Sequence, residues 1–223
     1  IDSEEERAWA EEWIASLMEL QQFTVMPSHR NAIHTAMETL AASPETLRTL
    51  THFYHVVQDR EIKEAIQHYT TQGAMGRLLD ADSDSLNLSR FMVFEIEDLM
   101  NLGDKNMVPV LTYLFRRIEK ALDGSPTILV LDEAWIMLGH PVFRAKIREW
   151  LKVMRKANCA VILATQSLSD ARNSGILDVL TESCPTKLLL PNSSPEYVGQ
   201  KELYVGMGPN DTTINNLKTS DPK

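Results

Sequence analysis

The sequence predicts an α/β chain, in which a parallel sheet covered by helices follows an all-helical region. Two observations carry this prediction. No strand-like run occurs before residue 90. After it, the nearly all-apolar runs "RFMVFEI" (90–96), "TILVL" from Thr127, "AVILATQ" ending at Gln166 and "TKLLLP" (186–191) alternate with helix-like stretches. Strands of that composition separated by helices belong to parallel sheets buried on both faces. A chain of 223 residues, 43% hydrophobic and 24% charged, is globular in composition and has room for one domain and a satellite.

The elements follow in order. Ser3 with Glu6 reads as a capping box, and Trp9, Trp13, Leu17 and Leu20 recur at helical spacing, which predicts a helix over about 4–22. Ile33, Met37 and Leu40 place a second helix in "PSHRNAIHTAMETLAA". Ser43 as cap and Pro44 at the first helical position open a third. "DREIKEAIQHYTTQG" gives a fourth, closed by Gly73. Beyond the polar segment "LLDADSDSLNLS" come the strand at 90–96 and a helix carrying Leu111, Leu114, Phe115, Ile118 and Leu122 on one face. The Thr127 strand, a helix over 141–156, the strand ending at Gln166, a helix in "SGILDVLTESCP" and the strand at 186–191 complete the core. Two short helices follow, with Ser194–Pro195 and Asn210 or Asp211 as starts.

Twenty-two basic against 31 acidic residues leave a formal charge of −9, which argues against a surface built as a whole to hold nucleic acid. Cys159 and Cys184 form neither a disulfide framework nor a zinc pattern, and a reducing compartment is expected. No apolar run reaches the ~20 residues of a membrane helix, and the start "IDSEEERAWAEE" is acidic where a signal peptide is basic.

The chemistry concentrates where strands end. The Thr127 strand runs into Asp132 and Glu133. In nucleotide hydrolysis such a pair divides the work, one carboxylate holding magnesium through its water shell and the next, on the other side of an extended backbone, deprotonating the attacking water. The plainer reading is a turn cap beside a solvated glutamate. Gln166 ends the neighbouring strand, where an amide either contacts a γ-phosphate or bonds loop backbone. On the 141–156 helix, Arg144, Arg148, Lys152 and Arg155 fall within about 80° of one another, beside a packing sector of Phe143, Ile147, Trp150, Leu151 and Met154. This stripe is either a solvated face or a set of cations for phosphates or DNA.

"ILVLDEAWIML", "FRAKIREWLKVMRKANCAVILATQSLSDA" and "DVLTESCPTKLLLPN" together resemble the carboxyl-terminal ATPase domain of the large type IV secretion and conjugative-transfer ATPases of the VirB/Trb class, relatives of the ring-forming HerA and FtsK motors. The likeness covers about residues 75–215. It implies a RecA-like P-loop core over 81–193, an all-helical insertion over 1–80 and a helical segment over 194–223. It also implies ATP and magnesium as cofactors, with Asp132 and Glu133 as the Walker B pair and Gln166 as the strand-end glutamine. Arg148 and Arg155 become candidates for inter-subunit contacts to phosphate. The implied partners are copies of itself in a hexamer or dimer, inner-membrane components of the secretion machine, and DNA or protein in transit, at the cytoplasmic face of a bacterial inner membrane. The sequence departs from the pattern at one point. None of its nine glycines is followed by lysine, so G-x-x-x-x-G-K-[ST] is absent, and "GAMGRLLD" is the nearest approach. The expectation is a core lacking its first strand and phosphate loop. A DNA-translocating motor of the HerA or FtsK type and a non-catalytic scaffold module are the alternatives.

Overall fold

The computed structural model describes every residue except 85, 87–88, 134–137, 139–140, 166–167, 174, 192–199, 207 and 220–223. It divides into two compact units, Ile1–Ala121 and Leu122–Lys223.

The first unit contains α1 (Glu4–Leu20), α2 (Pro27–Ala41), α3 (Leu50–Val56), α4 (Arg60–Gln67), α5 (Gly76–Leu79), α6 (Glu97–Met100) and α7 (Asp104–Ala121). Ser3 Oγ accepts the Glu6 amide at 3.2 Å, the first half of the expected capping box, while the Glu6 carboxylate pairs with Arg116 and Lys120. The stripes of α1, α2, α3 and α4 meet in one core around Leu17, Met18, Ile33, Phe53, Ile62 and Ile66. Pro109 lies inside α7 and has no N–H, so the carbonyl of Lys105 loses its helical donor. The hydroxyl of buried Tyr69 donates to that carbonyl at 2.8 Å, and Trp13 Nε1 donates to the carbonyl of Pro109 itself at 3.2 Å. α7 is thereby fastened to α1 and to the end of α4.

Two expectations here are corrected. The stretch from Ser43 is not one helix: a 3₁₀ turn at Glu45–Leu47 precedes α3, which is capped by Thr49 Oγ1 accepting the His52 amide. Arg48 explains the break, because its guanidinium donates to the carbonyls of Ala41 and Ser43 at the end of α2 and its own ψ of 58° is not helical. The segment 90–96 forms no strand and exposes Phe91 and Val93.

The second unit contains β1 (Thr127–Leu131), α8 (Pro141–Val153), β2 (Cys159–Leu163), α9 (Leu168–Asn173), α10 (Leu177–Ser183), α11 (Gln200–Gly206) and α12 (Asp211–Thr219). Asn210 Oδ1 caps α12 by accepting the Thr213 amide at 2.9 Å. β1 and β2 pair in parallel, in register from Thr127 with Cys159 to Leu131 with Leu163. Asn158, left-handed at φ 57°, turns the chain into β2; its carbonyl takes the Thr127 amide at 3.1 Å and its side chain reaches the Gly124 carbonyl at 3.0 Å. Phe143, Ile147, Trp150 and Met154, all from the predicted packing sector, are buried, and α8 packs on α10.

The sheet is smaller than expected. Among the described residues it has two strands, and 186–191 is not one of them, with Leu188 and Leu190 exposed. Cover on both faces is also corrected: Ile128, Val130 and Ile162, which register places on one face, are 68%, 58% and 49% exposed. A strand needs a neighbour to accept its backbone bonds, and among the described residues neither 90–96 nor 186–191 pairs with another strand.

Candidate functional site

The β1–β2 ladder ends with the Ala164 amide donating to the Leu131 carbonyl at 3.1 Å. Asp132 and Glu133 follow at once, at the carboxyl edge of two parallel strands, where open α/β sheets bind ligands. They sit in a turn, which corrects the expectation of extended backbone placing them on opposite sides. With the ladder finished, the Glu133 amide bonds Asp132 Oδ1 at 3.1 Å, and Glu133 takes the left-handed φ of +51°. A residue with a Cβ enters that region at a cost, and such strain gathers at functional sites. Asp132 is exposed and Glu133 half-exposed. Their carboxylate oxygens are the donor type that a hard divalent cation such as magnesium takes.

Gln166 lies outside the described residues. Arg148 and Arg155 have different surroundings. Arg148, half-buried on α8, donates from Nη2 to the Gly175 carbonyl at 3.0 Å. Arg155 falls beyond α8 in a 3₁₀ turn, Met154–Ala157, where its side chain is exposed. The expected single helix over 141–156 therefore ends early, and its basic stripe divides into a packed half, Arg144 and Arg148, and an exposed half, Lys152 and Arg155. What sequence reasoning missed is this grip on backbone carbonyls. The i, i+4 spacing of the two arginines was its one available signal.

"GAMG" makes no phosphate cradle. The Gly73 amide donates to the Thr70 carbonyl at 2.8 Å and the Met75 amide to the His68 carbonyl at 3.1 Å, so the N–H groups serve the fold. A Cβ at Gly73 would lie 2.3 Å from the Gln67 carbonyl oxygen, and one at Gly76 would lie 2.1 Å from that of Thr70. These glycines permit close backbone approach after α4.

Proteins named for conjugal transfer and for type IV secretion are similar to this chain in sequence. A probable conjugal transfer protein of the TrbE type from Sinorhizobium fredii is 59% identical over the whole chain, which spans 33% of that protein. "Conjugal transfer protein TrbE" of Rhizobium radiobacter is 56% identical over the whole chain, which spans 27% of it. "Type IV secretion system protein virB4" of Bartonella henselae is 31% identical over 87% of the chain and 25% of its own length. The chain thus spans about a third or less of each of these relatives. The solved structure of VirB4 of Thermoanaerobacter pseudethanolicus superposes with a TM-score of 0.62 at 19% identity, over 96% of this chain and 64% of that one, and shares the fold. The TraG P-loop domain matches residues 55–200, a span that includes Asp132, Glu133 and Gln166, and the chain belongs to that family of P-loop ATPase domains.

Proposed function

We propose that the chain is the Walker B portion of an ATP-hydrolysing motor that powers type IV secretion or conjugative transfer. The observation that carries the reading is the Asp132–Glu133 turn at the carboxyl edge of β1, beside the carboxyl end of β2. In this reading Asp132 would hold magnesium, which would supply positive charge to neutralise the phosphates when ATP is bound. Glu133 takes the proton of the attacking water, and Gln166 meets the γ-phosphate. The phosphate loop comes from a part of the protein outside these 223 residues. Arg155, on the exposed half of the basic stripe, is the better candidate of the two arginines for a contact across a subunit boundary, because Arg148 is engaged with the Gly175 carbonyl. The boundaries proposed from the sequence, 1–80 as the insertion, 81–193 as the core and 194–223 as a closing helical segment, belong to the same reading. So do assembly with its own copies as a hexamer or dimer, contacts with inner-membrane components of the machine and with DNA or protein in transit, and a place at the cytoplasmic face of the membrane. Among the described residues, no helix is long and apolar enough to cross a membrane.

Glu133→Gln in the protein that joins these residues to a phosphate loop tests the reading. Glutamine keeps the shape but cannot accept the proton, so steady-state hydrolysis should fall by ~10²–10⁴-fold while nucleotide affinity persists. Hydrolysis near the parental rate would remove Glu133 as the base.

A further inference from the structure

Six cations, Arg144, Lys146, Arg148, Lys152, Arg155 and Lys156, stand between Pro141 and Asn158 against one carboxylate, Glu149, in a chain whose formal charge is −9. The fold employs the first three. Arg144 donates to the carbonyl of Leu138 at 3.1 Å, Arg148 to that of Gly175 at 3.0 Å, and Lys146 pairs with Glu149 at 3.3 Å. The side chains of Lys152, Arg155 and Lys156 are exposed, and among the described residues none of the three makes an ion pair or a side-chain hydrogen bond. Val153, 42% exposed, lies among them. Burial of Phe143, Ile147, Trp150 and Met154 fixes the rotation of the helix and keeps this group outward. Because the Asn158 carbonyl takes the Thr127 amide, the group sits at the amino edge of the sheet, one five-residue strand away from the Asp132–Glu133 turn, roughly 16 Å. A helix dipole favours cations in the last turn, which accounts for single residues but not for a group without counter-charge in a chain of 31 acidic residues.

The complement occurs in the same sequence. Between Arg90 and Lys105 there is no cation, and Glu95, Glu97 and Asp98 are exposed there with no ion pair among the described residues. Beside them Phe91 and Val93 are 85% and 77% exposed, and Phe94 and Leu102 are exposed too. We propose that the end of α8 in one copy docks on the Phe91–Asp98 surface of a second copy, with Lys152, Arg155 and Lys156 against the carboxylates and Val153 against the phenylalanines. The inference rests on the assembly of copies proposed above and names the surfaces that make it. Exposed ion pairs add little to affinity, so the apolar residues supply most of it, while the charges select the partner and its orientation. A nucleic-acid backbone fits this patch less well, since a valine interrupts the cations and the chain as a whole is acidic and repels phosphate.

Sedimentation velocity on the 223-residue chain, and on the protein joined to its phosphate loop, tests the proposal with Arg155→Glu, Glu97→Arg and an equal mixture of the two. Each variant alone should associate ~10-fold or more weakly than the parental chain, since a like-charge pair replaces an attractive one. The mixture should recover association, because the glutamate of one variant meets the arginine of the other. Parental association should also weaken as salt rises from ~0.1 to ~1 M, where the screening length falls from ~10 to ~3 Å. Parental-strength association of either variant, or no recovery in the mixture, would overturn the inference and leave assembly to another surface. A parental protein that stays monomeric at ~100 μM would overturn it together with the assembly reading. Retention of a ~30-base-pair DNA duplex by the parental chain and its loss in Arg155→Glu, with assembly unchanged, would assign the patch to nucleic acid instead.

Discussion

The two units of this chain treat their apolar residues differently. In Ile1–Ala121 the stripes predicted for the helices are spent inside one core, with Leu17, Phe53, Ile62, Ile66 and Tyr69 almost wholly buried. In Leu122–Lys223 the helix stripe of Phe143, Ile147 and Trp150 is buried too, but Ile128, Val130, Ile162, Leu188 and Leu190 remain exposed. The difference follows from how each element closes its backbone bonds. A helix satisfies its interior amides and carbonyls from its own residues, so it needs only a surface to pack against. A strand needs a second strand before it is a strand at all, and then cover for two faces. An apolar run is therefore sufficient information for a helix and insufficient for a sheet.

The contrast can be tested from its strongest point downward. Phe53→Ala removes a fully buried ring from the helical core and should cost ~3–5 kcal/mol, whereas Ile128→Ala on the open sheet face should stay within ~0.5 kcal/mol. Urea unfolding followed by circular dichroism measures both. Equal losses would mean that the sheet face is covered after all, and the contrast would collapse.

Tyr69→Phe should cost ~1–3 kcal/mol, since it leaves the Lys105 carbonyl, already deprived of its helical donor by Pro109, without the hydroxyl bond. Pro109→Ala restores an amide at that point. The double substitution should therefore cost less than the two single losses added together, and strict additivity would show that the two groups do not serve the same carbonyl.

The smallest effect concerns Asp84. Burial pushes its carboxyl up, but the Tyr113 hydroxyl, the Leu86 amide and the Arg117 guanidinium together hold it below the ordinary 3.8. A folded value below the unfolded one stabilises the fold fully above about pH 3.8, and this stabilisation is lost as pH falls through the folded value. Asp84→Asn should accordingly lower the urea midpoint at about pH 7 and have less effect at about pH 2. An equal loss at both would show that charge is not what Asp84 contributes.

The helical unit was largely legible because its signals are local. Ser3 caps the helix that follows it, and Ile33, Met37 and Leu40 face the core as their spacing requires. Where a long side chain intervened the local reading failed, as at Arg48, whose hold on the end of α2 breaks the helix expected from Ser43. The strand pair and its carboxylates were legible as composition, and pairing of β1 with β2 places Asp132 and Glu133 at the expected edge. The turn that carries them was not. Extended backbone was the natural continuation of "TILVL", and only the end of the ladder at Leu131 releases the Glu133 amide to find Asp132 Oδ1.

By itself, then, the sequence determined the α/β class, the helical first half, the Asp-Glu pair at the end of a strand and the absence of a phosphate-loop motif, because capping, periodicity and a fixed motif are written within a few residues of one another. Tertiary structure alone decided which apolar runs became strands, the left-handed turn at Glu133, the use of "GAMG" for close backbone approach and the division of the basic stripe into a packed and an exposed half. Each of these depends on which distant backbone group lies within hydrogen-bonding reach. Arg148 and Gly175, far apart in the chain and 3.0 Å apart at the guanidinium and carbonyl, meet only once α8 has packed against α10.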